Sequence, residues 1–148
     1  FKVFRENNGL TYDSGVFYPS RKFNAPFLIY ISVSERNAPL TLKLLLTILN
    51  DLLLKKITNK ELSLAKLKLI SSPLHSYRTC EDIISRKVRL LGLGMDPYYD
   101  ERVEDQIKSI TSDQILRVSK KYFSDPHISI SGSKHTCVHL KKIWEQKI

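Results

Sequence analysis

The chain has 148 residues, 42% of them hydrophobic and 26% charged, which is the make-up of one folded domain, residues 1–148, and excludes a disordered chain. Lys and Arg outnumber Asp and Glu by 24 to 15, giving +9; the excess is scattered as Lys55-Lys56, Lys120-Lys121 and Lys141-Lys142, the pattern of solvated helix faces, so nucleic acid is a weak candidate partner. The richest apolar stretch, Leu40 to Leu54, is interrupted by Lys43, Asn50 and Asp51 and falls short of the roughly 20 apolar residues that span a bilayer.

Asn7-Asn8-Gly9 is a turn signal, because Asn and Gly tolerate the left-handed backbone of a tight reversal. Leu10 to Tyr18 is rich in aromatic and β-branched residues and reads as a strand, with Gly15 marking a bulge or the close approach of another backbone. Pro19 to Asn24 is a polar connector. Pro26 to Val33 follows as a second strand, apolar enough for a sheet interior, and completes a hairpin. Asn37 with Pro39 opens a long helix whose Leu42, Leu45, Leu46, Leu49, Leu52 and Leu53 recur every three or four residues.

Thr58 with Glu61 forms a capping box, and Leu62, Ala65 and Leu69 mark the buried stripe of the helix it starts, which Pro73 ends or kinks. Thr79 with Asp82 starts another, with Ile84, Val88 and Leu91 as its apolar face and Gly92 and Gly94 as its stop. After the Asp96-Pro97 turn, Val103, Ile107 and Ile110 mark a short helix. Thr111 with Gln114 caps the next, whose stripe is Ile115, Val118 and Tyr122. Alternation of Ile128 and Ile130 predicts a last strand over 127–131, and Leu140, Ile143 and Trp144 a closing helix. The order predicts an α+β fold in which helices cover one face of an antiparallel or mixed sheet.

No GxSxG, Walker-type loop or GxGxxG is present, which sets aside serine hydrolase and nucleotide-binding readings. No HxxEH-type imidazole pair with an acidic base lies on a helical stretch, so the chain is expected to hold no catalytic zinc of that kind. His135, Cys137 and His139 sit two apart, which on a strand would turn three soft ligands to one side. A fourth ligand is not evident, and no metal is assigned to them. His75 and His127 stand alone beside Pro73 and Pro126 and receive no catalytic role. Cys80 and Cys137, far apart in sequence, suit free thiols in a cytoplasmic or other reducing compartment better than a disulfide framework.

The segment Arg5-Glu6-Asn7-Asn8-Gly9-Leu10-Thr11-Tyr12 resembles the R-E-x-x-G-L-x-Y element of the pitrilysin, insulysin and mitochondrial-processing-peptidase family. Further along, Thr58-Asn59-Lys60-Glu61-Leu62 with Ala65-Lys66 is similar to that family's T-x-x-E-L-x-x-A-K helix start. Tyr99-Asp100-Glu101-Arg102-Val103 with Ile107, Ile110-Thr111-Ser112-Asp113-Gln114 and Lys120-Lys121-Tyr122-Phe123 resemble its I-x-x-(V/I)-T-x-x-(D/Q) and A-K-K-Y-F region. The matches keep their order over nearly the whole chain.

The resemblance implies the C-terminal domain of a zinc-dependent endopeptidase, the one that closes over peptide without carrying the metal. Zinc is then expected on a homologous domain or subunit, which becomes the partner, together with the peptide substrate; no cofactor is expected on this chain. Arg5 and Tyr12 fall on the family's conserved Arg and Tyr, whose implied role is to hold substrate and stabilise its scissile carbonyl. As that carbonyl is attacked its oxygen gains charge, and a donor aimed at it strengthens in the transition state. The family domain begins with a strand and a helix ahead of the Arg element, so this chain is expected to be truncated at its N-terminus. Its first residue is Phe1 and its one methionine Met95, so the natural start is expected upstream and targeting segments go unread. Two other classes stay open: a proteolytically inactive structural subunit of the same family, and a basic nucleic-acid-binding module motivated by charge.

Overall fold

The computed structural model describes residues 9–19, 23–71 and 79–146. They form two strands, β1 (Thr11–Phe17) and β2 (Leu28–Val33), followed by six helices: α1 (Ala38–Leu54), α2 (Asn59–Ile70), α3 (Cys80–Gly92), α4 (Tyr99–Ser109), α5 (Ser112–Tyr122) and α6 (Lys134–Glu145). The fold is α+β, with a two-stranded antiparallel sheet. Among the described residues no helix is long and apolar enough to cross a membrane.

The helix starts follow from side chains that satisfy otherwise orphaned amides. At α2 the Glu61 amide donates to the Thr58 hydroxyl at 3.2 Å while the Thr58 amide donates to the Glu61 carboxylate at 2.9 Å. Thr79 and Asp82 exchange the same two bonds at 3.1 Å each, and Thr111 and Gln114 at 2.8 and 3.3 Å. Asn37 precedes α1 as expected, but its side chain makes no cap bond; the backbone carbonyl of Asn37 accepts from the Thr41 hydroxyl at 2.9 Å.

The core lies between α1 and α6. Ala38 and Leu42 meet Leu140, and Val33, Leu46, Ile130, Ile143 and Trp144 pack around them. The closing helix predicted from Leu140, Ile143 and Trp144 is therefore present, and its apolar stripe does what periodicity predicts. Helix α5 also packs on α1 and α2 on α4. Lys66 of α2 ties the second pair by donating its ammonium to the Lys108 carbonyl at 2.6 Å, satisfying an orphan acceptor at the end of α4. Across the first contact, Lys56 pairs with Asp113 at 2.6 Å.

Several expectations are corrected. Residues 127–131 are not a strand: bounded by Pro126 and Gly132, they run as the irregular α5–α6 connection, and Ile130 packs under the α1/α6 core instead of joining a ladder. Leu28, Ile29 and Tyr30 of β2 are exposed, so β2 is not a sheet interior. Among the described residues helices do not blanket the sheet: Val33 packs on the helical core, and just ahead of β2 the Phe27 ring lies 4.9 Å from that of Phe123, at the end of α5. No residue of α2 is buried, and Ala65 and Leu69 of its predicted stripe are exposed. On α3, Ile84, Val88 and Leu91 face outward while Leu90, outside the predicted stripe, is only 1% exposed. Periodicity marks an apolar face but does not supply an element to cover it. Pro73 lies outside the described residues.

Candidate functional site

Arg5 lies outside the described residues. Tyr12 is the second residue of β1, three positions after Gly9, whose φ of +56° turns the chain into the strand through a conformation that costs glycine little.

The strands pair from Thr11↔Val33 to Phe17↔Leu28, with the register shifting between Thr11 and Asp13 because Asp13 already faces Ser32. Tyr12 is thus the extra residue of a β-bulge. A bulge breaks the ladder locally and re-aims the inserted side chain, and such irregularities recur beside binding and catalytic sites. Here the phenol stands 78% exposed, on the end of the hairpin nearest the core. Beside it the hydroxyls of Thr11 and Ser14 are buried and find no hydrogen-bond partner among the described residues. Each such group is destabilising by about 1–3 kcal/mol.

The irregularity expected at Gly15 sits instead at Tyr12. Gly15 pairs regularly with Tyr30 and accommodates an aromatic side chain, not a neighbouring backbone. A Cβ built on it would stand 2.6 Å from the Tyr30 hydroxyl oxygen and 2.7 Å from the ring carbon bearing it, so the phenol ring lies across the space a larger residue would fill. This cover of a strand glycine by a cross-strand aromatic belongs to a wider pattern. Phe17, Tyr18, Phe23 and Phe27 are exposed on the same hairpin, and the Tyr18 and Phe27 rings approach to 6.3 Å. The aromatic density over residues 12–30 was visible in the sequence, where strand propensity alone absorbed it.

Part of the positive charge is paired locally among the described residues. Lys55 pairs with Asp51 at 2.7 Å, Lys108 with Glu104 at 2.6 Å and Lys141 with Glu145 at 3.7 Å, while the ammonium of Lys87 sits over the Tyr98 ring. Glu104 acts first by hydrogen bond and then by charge to hold the Lys108 ammonium above its ordinary pKa.

His135, Cys137 and His139 lie on α6 rather than on a strand. Two residues along a helix turn about 200°, so Cys137 leaves the face that the histidines share. Its thiol lies 3.6 Å from the Gly132 carbonyl oxygen. Both cysteines are free thiols, Cys80 at the start of α3. Among the described residues no three His, Cys, Asp or Glu side chains converge so as to hold a metal ion. His127 is exposed in the α5–α6 connection, and His75 lies outside the described residues.

No protein-family model matches the chain, and no curated protein matches it.

Proposed function

We propose that this chain is the substrate-binding, non-zinc-bearing part of a zinc-dependent endopeptidase, with the C-terminal-domain fold of the pitrilysin and mitochondrial-processing-peptidase family. The observation that carries the reading is Tyr12, the residue singled out by resemblance, standing as the inserted, outward-facing residue of a bulge. At 78% exposure the ring is open to a contact from outside the chain. The exposed aromatics around it offer apolar contact to peptide side chains, and the two strands keep outer edges with no ladder partner among the described residues, to which an extended peptide backbone can bond.

The zinc of the partner domain would supply the activated water. This chain's part is to bind and orient. An extended peptide lies against the hairpin; the Tyr12 hydroxyl donates to the scissile carbonyl oxygen as charge builds there, and by resemblance the Arg5 guanidinium holds the same region of substrate. A donor that strengthens in the transition state raises turnover rather than ground-state affinity.

In the intact, zinc-loaded enzyme, Tyr12→Phe should lower kcat about a hundredfold, the effect of losing one oxyanion donor, with KM and zinc content near wild type. Unchanged kcat would defeat the assignment. The intact mass and zinc content of the native polypeptide, isolated with its partners, is the companion measurement.

The outward apolar face of α3, Ile84, Val88 and Leu91, favours a second reading, a proteolytically inactive structural subunit of the same family in which such a face is an assembly surface. A native complex containing this chain and lacking any zinc-bearing relative would select it. A nucleic-acid-binding module, the third class, requires affinity that falls steeply with salt.

A further inference from the structure

His135 and His139 stand one turn apart on α6, the spacing that brings two side chains over the same helix surface. Their rings are 6.5 Å apart, centre to centre, and inclined by 70°. Both side chains are exposed, so rotation about their own bonds brings one nitrogen from each toward a common point without disturbing the core on the other side of α6. Lys134, Val138 and Lys142 border the same open groove, which leaves the outer side of that point to solvent.

Two occupants suit such a groove, and distance separates them. A single phosphate held between the lysines would have to bridge Lys134 and Lys142, which are two turns, about 12 Å, apart along the axis. The imidazoles need no such reach. A lysine ammonium about 8 Å from a divalent ion costs about a factor of two in affinity at physiological salt, and Lys134 and Lys142 together about fourfold, less than a second ligand contributes. Glu35, which accepts a hydrogen bond from the Ser133 amide at 3.3 Å, places a carboxylate at the same end of α6 and offsets part of that repulsion.

We propose that His135 and His139 form a bidentate surface site for a divalent ion of the Cu2+, Ni2+ and Zn2+ class, with water or an outside donor in the remaining positions. Imidazole is the matching ligand for these ions. Two protein ligands in place of the four of a structural zinc site make the binding reversible and micromolar. The site is independent of the peptidase reading, in which the metal sits on another domain.

The test is calorimetric titration of the full chain with NiCl2, paired with thermal unfolding. The expected result is one saturable site per chain and a rise in Tm of about 5–10 °C at a hundredfold excess over Kd. His139→Ala should weaken binding at least tenfold and cut the Tm shift at the same nickel concentration to about half or less, while Cys80→Ser, Cys137→Ser and His127→Ala leave both unchanged. Absence of saturable binding, binding that survives His139→Ala, or binding lost in either cysteine variant would overturn the proposal.

Discussion

Arg86 and Asp100 join α3 to α4 across 14 positions through two parallel bonds, Nε to Oδ2 at 2.8 Å and Nη2 to Oδ1 at 2.9 Å. The side chains are 24% and 16% exposed, so the pair is neither a surface contact nor fully dry. Exposed pairs contribute about 0.2–1 kcal/mol. Removing one partner of a fully buried pair costs about 3–5 kcal/mol, because the survivor is left charged and unmatched. Asp100→Asn keeps the shape and one acceptor but turns an amide donor toward the guanidinium, and the partial burial places its cost near 2 kcal/mol. For a chain of this length that is a fall in Tm of about 4–8 °C, with an equivalent shift in the urea midpoint at unchanged slope. Arg86→Met should cost a similar amount. Arg86→Met with Asp100→Leu should cost less than the two singles together, since the interaction between the two is then lost only once. Single variants within about 0.5 kcal/mol of wild type, or strictly additive losses, would show that the pair is a solvated contact and refute the reasoning.

Leu140→Ala removes the side chain that α6 inserts against Ala38 and Leu42; a loss of about 3 kcal/mol is expected, measured by urea unfolding. The Glu61 carboxyl is held below the 4.5 of an ordinary glutamate, chiefly by the Thr58 amide and then by the Thr58 hydroxyl. The Glu35 carboxyl is lowered too, by bonds from the Ser133 side chain first and its amide second. Depressed folded values mean stabilisation that is present above about pH 5 and lost as pH falls through the folded pKa. Glu61→Gln should flatten that acid limb of the stability curve while keeping the cap, as Gln114 does for Thr111. Gly15→Ala must displace the far end of the Tyr30 side chain; because that ring is partly exposed and can swing away, the expected loss is modest, about 1 kcal/mol or less, with a change in tyrosine near-ultraviolet dichroism as the direct readout.

Local chemistry was the legible part of this sequence. Each of the three Thr-led capping boxes forms, because the pairing of a hydroxyl with the side chain three residues on is decided within one turn. The hairpin and the apolar stripe of α6 were legible for a similar reason. What depended on a distant partner was not. Ile128 and Ile130 alternate like a strand, but a ladder needs a neighbouring edge and Ile130 found the core instead. Leu62 and Leu69 on α2 and Ile84, Val88 and Leu91 on α3 marked faces whose cover no local pattern can name. Residues 135–139 show the same limit: three ligands in alternation converge on a strand and diverge on a helix, and the choice of helix was made by Ser133, whose hydroxyl accepts from the Thr136 amide at 3.3 Å. Tyr12 was marked by resemblance, while the bulge that turns it outward depends on register with Val33 and Ser32, set on the other strand.

The bond from the Ser133 amide to Glu35 spans 98 residues, and the core beside it joins the same two distant stretches. As the polypeptide leaves the ribosome, the part of α1 around Ala38 and Leu42 must therefore wait for its cover until α6 has been synthesised. At about 5–20 residues per second that interval lasts some 5–20 s, far longer than a helix takes to form. Closing so long a loop favours slow, late consolidation.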